Sequence, residues 1–242
     1  PKSITTNCKR WRVTADPVLA CKTCAGCEAG DVCHRPSTLG IEHDGCFAEY
    51  VRLPAAALHK IPDGMTPFDA AFVEPVAACL AIFDAGFGAE DRGVVAGDNR
   101  FASLARALLR HRGYPSWSLA LDGLDACALD YAIETGLDAQ SLDALVRALK
   151  PGGTLVLKSR SPDVLPVPAR ALVLKDLRLR CVAYGSFAEA IALLSDGSVE
   201  LDPTRIRQVA LDDFAAALAS SPEESDKSFF VISGSGDWPC VA

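Results

Sequence analysis

The 242-residue sequence lacks any apolar run long enough to cross a bilayer. Its longest, Ala70 to Phe83, is interrupted by Glu74 and Pro75 and is shorter than the ~20 residues a span requires. It lacks a basic excess: 24 Lys and Arg stand against 31 Asp and Glu, a formal net charge of −7. Without a basic stripe to neutralise phosphates, non-specific nucleic-acid binding is not expected. Pro1 is followed by neither a basic nor an apolar leader-like stretch, so no secretory signal is visible and a cytoplasmic setting is expected. There is no fixed-period repeat and no low-complexity tract. What remains is a chain that is half hydrophobic and 23% charged, the composition of a globular protein with one or two cores.

Residues 1–62 read as β-rich and irregular. Arg10 to Ala15 and Phe47 to Leu53 are predicted strands, with turn chemistry at Pro36, Gly40 and Asp44-Gly45. From Thr66 the texture changes. Thr66 is a predicted N-cap, Pro67 sits at N1, and a helix runs to Phe83 with Pro75 kinking or splitting it. Alternating units follow: strand Gly93 to Ala96, helix Ala102 to Arg112, strands Trp117 to Leu121 and Asp130 to Glu134, helix Ser141 to Leu149, and strand Thr154 to Lys158. Leu172 to Ala183 carries strand character, Ser186 to Asp196 and Leu211 to Ser220 are helices, and Ser228 to Ser233 is a last strand. Such alternation is the signature of a parallel α/β sheet.

Ten cysteines are many for this length, and four fall within thirteen residues: Cys21-x2-Cys24-x2-Cys27-x5-Cys33. A disulfide scaffold would be shorter and more evenly stapled, so clustering without a leader points to a metal site in a reducing compartment. An x2 spacing lets successive thiolates fold around one zinc, with Gly26 and Gly30 giving the loop freedom to wrap. Four cysteines close the coordination shell, which makes the site structural. His34 in place of Cys33, an iron–sulfur cluster, or free buried thiols are the alternatives.

After the strand "GVVA" come Gly97-Asp98-Asn99-Arg100-Phe101-Ala102 and a helix. A dinucleotide fingerprint needs G-x-G-x-x-G there: a tight turn, clearance for the pyrophosphate, then close helix–strand packing. Gly97 keeps the first position and Ala102 is an accepted third. Asn99 at the second crowds the pyrophosphate, Asp98 adds like charge, and Arg100 offsets part of it. Asp122, 20 residues after Ala102, is the candidate partner of the adenosine ribose or else a turn residue. With no Arg directly after it, NAD is favoured over NADP.

These stretches resemble, in order, the zinc-containing medium-chain dehydrogenases (alcohol, sorbitol, butanediol and threonine dehydrogenases). "RVTADPVLACKTCAGC" resembles the strand entering their zinc lobe and "LGIEHDGCFAEYVRLP" the stretch returning from it. "HKIPDGMTPFDAAFVEPVAACLAIF" is similar to the segment ahead of the cofactor domain. "ALKPGGTLVLKS", "GSFAEAIALLSDGSV" and "VALDDFAAALA" resemble later parts of the family pattern. The resemblance implies an α/β chain in three stretches: a partial, β-rich GroES-like domain with the zinc lobe at 1–76, a shortened Rossmann-like parallel-sheet domain at 77–208, and a return to the first domain at 209–242. It implies an NAD(P)-dependent oxidoreductase acting on a small alcohol, polyol or ketone, as a dimer or tetramer.

By the same resemblance, Glu74 of "FVEPVA" matches a carboxylate ligand of the catalytic zinc, a Lewis acid on the substrate oxygen. On its own, Glu74 also reads as a helix-start carboxylate facing solvent or a basic residue. Departures from the pattern are a short gap before the fourth Cys, no Gly-His-Glu stretch in residues 1–20, and only seven residues between Asp122 and Asp130. Seven residues cannot hold a parallel crossover, so the sheet is expected to be narrow on that side of the switch point. A non-catalytic relative that keeps the fold and the structural zinc, serving as a binding or assembly protein, is the alternative function.

Overall fold

The structure is a computed structural model that describes residues 11–48, 51–115, 123–136, 138–159, 166–201, 206–219 and 227–231. Described residues up to Glu74 form one compact unit and those from Pro75 onward a second.

In the first unit, β1 (Val13–Ala15) pairs antiparallel with β4 (Leu58–Lys60), with Val13 opposite Lys60. Backbone bonds from Asp16 N to Ala57 O and from Ile61 N to Arg12 O, both 2.8 Å, extend the ladder at each end. The Asp16 carboxylate accepts from Val18 N at 2.8 Å and turns the chain into β2 (Val18–Leu19), which pairs antiparallel with β3 (Ser37–Thr38). β2 and β3 form the neck of a loop that carries α1 (Ala25–Ala29) and all four clustered cysteines. Further on, Thr66 caps α2 (Pro67–Ala70) by accepting from Asp69 N at 3.0 Å. The predicted helix does split. α3 (Val73–Leu80) starts afresh after Phe72, so Pro75 falls in its first turn, where no N–H is needed.

The second unit is built on a four-stranded parallel sheet in the order β5 (Gly93–Ala96), β6 (Leu129–Glu134), β7 (Leu149–Leu157), β8 (Arg178–Cys181). α4 (Arg100–His111) follows β5, α5 (Ala139–Ala148) links β6 to β7, and α6 (Ala169–Leu174) lies between β7 and β8 in the chain. Both faces of the sheet are covered, which is why its inner strands read as continuous apolar runs. On one face Val95, Tyr131, Ile133 and Val156 meet Ala102, Ala105 and Leu109 of α4. On the other, Val94, Ala96, Ala132 and Leu155 meet Leu142, Leu145 and Val146 of α5. Leu129 joins the second face despite its odd spacing from Ala132, because the β6–β7 register shifts between Leu129 and Tyr131. Gly93 is required beside Tyr131, since a Cβ there would lie 2.1 Å from its ring. α7 (Phe187–Ser195) is capped by Ser186, which accepts from Glu189 N at 3.2 Å. A parallel pair, β9 (Ile206–Ala210) and β10 (Lys227–Val231), flanks α8 (Phe214–Ala219) in sequence, with Phe214 5.1 Å from Phe230.

Several predicted elements differ. The described part of Phe47 to Leu53 is not a strand; Phe47 is 73% exposed, and no ladder partner runs beside it among the described residues. Leu172 to Leu174 are helical. Asp176, at φ 51°, ends that turn with Leu177 N bonded back to Leu172 O at 3.0 Å, and only then does β8 begin. β7 starts at Leu149 rather than Thr154. β9 was not among the predicted strands. Trp117 to Leu121 and Asp122 lie outside the described residues. Among those described, β5 is an edge of the sheet; the predicted strand Trp117 to Leu121, which bears on the expected width, is not among them.

Candidate functional site

Four sulfurs converge in the loop between β2 and β3. Cys24 is the N-cap residue of α1, Cys27 lies within that helix, and Cys21 and Cys33 come from the segments on either side. The helix must end quickly for Cys33 to return, and Gly30, at φ 72°, ends it with its N–H on Cys27 O. Gly26 permits the return path, because a Cβ there would sit 2.0 Å from Val32 O. All four Sγ atoms lie within 4.8 Å of one another, with Cys21–Cys27 at 4.0 Å and Cys24–Cys33 at 3.9 Å. A tetrahedron of ~2.3 Å zinc–sulfur bonds has edges of about 3.8 Å, so the spacing suits one such ion.

The backbone around the sulfurs offers donors that suit anionic sulfur. The N–H groups of Cys21 and Arg35 donate to Cys33 Sγ at 3.3 and 3.4 Å, and His34 N–H donates to Cys24 Sγ at 3.3 Å. The Thr23 backbone amide is the main cause that lowers the Cys21 thiol to about 5, and the amides of Cys27 and His34 lower Cys24. Burial raises Cys27 to about 11. These donors shift two sulfurs toward the thiolate, and a cation would draw off the remaining protons. His34 contributes its amide to the cluster, while the four ligand atoms that converge are all sulfur.

The β5–α4 loop has strand–turn–helix form. Gly97 sits at φ 117°, and a Cβ there would lie 2.2 Å from Thr135 Oγ1. Asn99 caps α4, its Oδ1 accepting from Ala102 N at 3.0 Å and its Nδ2 donating to Thr135 O at 2.6 Å. Ala102 is fully buried against the sheet, as the third fingerprint position requires. Arg106 Nη2 donates to Val95 O and Gly97 O, both at 2.9 Å, pinning the loop carbonyls. Asp98 is exposed.

Glu74 is half-buried in the first turn of α3, between the buried Val73 and Pro75. It belongs to no group of three or more potential metal ligands among the described residues; the four cysteines are the one such group found there. Asp122 lies outside the described residues. No helix among them is long and apolar enough to cross a membrane.

Glu134, at the end of β6, escaped the sequence reading. It is 1% exposed, and its Oε1 accepts from Lys158 N, Ser159 N and Ser159 Oγ, each at 2.8 Å. Its Oε2 is buried, with no hydrogen-bond partner among the described residues. An acidic residue closing the apolar strand "LDYAIE" was the available signal. Lys158, at the neighbouring end of β7, donates to Ala183 O at 2.6 Å.

Residues 9–63 match the family model described as alcohol dehydrogenase GroES-like domain. An L-threonine 3-dehydrogenase from Legionella pneumophila (strain Corby) is 24% identical over 246 residues, spanning 85% of this chain and 71% of that protein. L-Idonate 5-dehydrogenase from Escherichia coli K-12 superposes with a TM-score of 0.79 at 17% identity, over 92% of this chain and 75% of that one. The protein named short chain alcohol dehydrogenase (rspB) from E. coli CFT073, complexed with NADH, superposes with a TM-score of 0.76 at 19% identity, over 92% and 77%.

Proposed function

We propose that this chain belongs to the zinc-containing medium-chain dehydrogenase family, which its matches support, and is an NAD(P)-dependent oxidoreductase acting on a small alcohol, polyol or the corresponding ketone. The observation that carries the reading is one chain holding, in the family's order, a four-sulfur lobe and a β5–loop–α4 unit of dinucleotide type.

Cys21, Cys24, Cys27 and Cys33 are assigned a structural zinc; their spacing and amide donors fit it. Gly97, Asn99 and Ala102 are assigned to the side of α4 where a pyrophosphate lies, and Asp122 to the ribose. A nicotinamide dinucleotide, when bound, supplies the hydride acceptor or donor. The chain's own contribution is to hold the β5–α4 loop rigid through Arg106 and Thr135, and to place the close of β6 and β7 through Glu134. Glu74 is the candidate carboxylate ligand of a catalytic zinc. The described residues do not complete a ligand set around it. The reaction's proton and hydride partners are small molecules; assembly as a dimer or tetramer is proposed from the family.

A non-catalytic relative is the second reading, favoured by the Asn99 cap at the place where a phosphate would sit. The test is an NAD- and NADP-linked assay of the purified chain against polyols, 2,3-diols and L-threonine, with zinc counted in the same sample. Turnover with any of them supports the oxidoreductase reading. One zinc, dinucleotide binding without turnover, and no activity across the set would favour the non-catalytic reading.

A further inference from the structure

We infer that the β5–α4 loop is self-capped: Asn99 fills the phosphate position with its own side chain, and a dinucleotide gains that position only by displacing it. The inference rests on the dinucleotide reading above.

At the second position of a glycine fingerprint the absence of a side chain lets the pyrophosphate reach the backbone N–H groups at the helix start. Here the position is Asn99, in an extended conformation at φ −138° and ψ 176°, with both ends of its amide engaged. Oδ1 takes the Ala102 N–H at 3.0 Å, and Nδ2 gives to Thr135 O at 2.6 Å. The chemistry of the partners fixes the amide's orientation, since Ala102 N only donates and Thr135 O only accepts. The side chain therefore ties the helix start to the end of β6. Gly136 leaves it room, because a Cβ there would come 3.1 Å from Nδ2.

The backbone beneath is fixed as well. Gly97 holds a left-handed conformation against Thr135, whose hydroxyl donates to Ala96 O at 2.9 Å, and Arg106 grips Val95 O and Gly97 O. With the loop held from both sides, what gives way is the Asn99 side chain, at the expense of its two hydrogen bonds. A phosphate that takes the Ala102 N–H must break the cap and the Thr135 bond together. Dinucleotide affinity is then set by an exchange of one acceptor for another, and the parent chain binds more weakly than the same loop with glycine.

The test is titration calorimetry of the full chain with NAD and with NADP, for the parent, Asn99→Gly and Asn99→Ser, with thermal unfolding of each without ligand. Asn99→Gly removes cap and tie, and is expected to tighten binding tenfold or more while lowering the unfolding temperature. Asn99→Ser keeps a capping hydroxyl but cannot reach Thr135, and is expected to tighten binding several-fold with little thermal loss. It also keeps the test open if the glycine variant fails to fold. A cap that is only structural would lower stability without tightening either ligand. Equal or weaker binding by the variants, with measurable binding by the parent, overturns the self-capping and leaves the dinucleotide reading intact. No binding of NAD or NADP by any of the three overturns both.

Discussion

The zinc lobe and the β5–α4 loop are both short, glycine-bearing segments that wrap an expected ligand, and they stand in opposite states of satisfaction. In the lobe, four sulfurs converge on a common point and receive donors from the surrounding chain, among them the amides of Cys21, His34 and Arg35 and the Thr23 hydroxyl. Once deprotonated, thiolates this close need a cation between them. In the loop, the helix-start donor that would meet a phosphate already has an acceptor from the same chain. The lobe gathers four sulfurs that a metal ion could join, whereas the loop's helix-start donor is met without a ligand. A family motif therefore marks where a ligand belongs, and the state of the individual donors and acceptors decides how much is gained by binding it there.

The largest effect should come from breaking the lobe. Cys24→Ala removes a sulfur that lies 3.9 Å from Cys33. It should lower zinc content by one per chain and abolish hydrogen-exchange protection in residues 21–36, because the loop has little apolar core of its own. Unchanged zinc by elemental analysis would contradict the ligand assignment.

Next comes the junction between the ends of β6 and β7. Glu134→Ala takes the side-chain acceptor from the Ser159 N–H and leaves the Lys158 N–H only the Glu134 main-chain carbonyl at 3.1 Å, at a cost of about 2 kcal/mol, as expected for an unmet, largely buried donor. Glu134→Gln keeps the oxygen that receives them and should cost less than half as much. Urea unfolding of the two variants separates these outcomes, and equal losses would show that the three bonds to Oε1 are not what matters.

A smaller effect tests capping where no ligand is expected. Thr66→Ala should cost about 1 kcal/mol through the lost bond to Asp69 N, with no change in zinc content or dinucleotide affinity. A loss of either would show that α2 is coupled to the sites.

The smallest is electrostatic. The Lys150 ammonium, 2.7 Å from Asp130 Oδ1, holds that carboxyl below its usual range, with help from the Arg92 amide at 3.0 Å. Folding then favours the ionised form. The stabilisation is fully present above the unfolded value near pH 4 and is lost as pH falls through the depressed folded value. The pair is 43% and 31% exposed, so only a few tenths of a kcal/mol are expected. Unfolding temperatures of Lys150→Met and parent should differ at pH 6 and converge toward pH 2.5. A constant difference would assign the effect to packing of the lysine stem.

The features legible in the sequence were those whose partners are close by. β5 runs over the same four residues as predicted, because it is apolar throughout and bounded by Arg92 and Gly97. The cysteine cluster was legible because its members fall within thirteen residues. Thr66, Pro67 and Ser186 announced their helices by local capping chemistry. The misses depended on distant partners. Phe47 to Leu53 alternates as a strand does, yet a strand also needs a neighbour to pair with. Leu172 to Leu174 has strand-like side chains, but Pro168 and the left-handed Asp176 bracket a helical turn. Glu134 finds its donors 24 and 25 residues away, and Asn99 finds Thr135 36 residues away. No local pattern carries those pairings, which exist only once β5, β6 and β7 lie side by side.

The most direct test of the contrast is X-ray absorption at the zinc edge on the purified chain, because it reads the ion's neighbours one shell at a time. The lobe predicts zinc bound by four sulfurs at ~2.3 Å and no nitrogen, with that signal lost in Cys24→Ala. A shell of three sulfurs and one nitrogen would place His34 in the site instead of Cys33. A chain that holds no zinc would contradict the assignment of a zinc to the lobe.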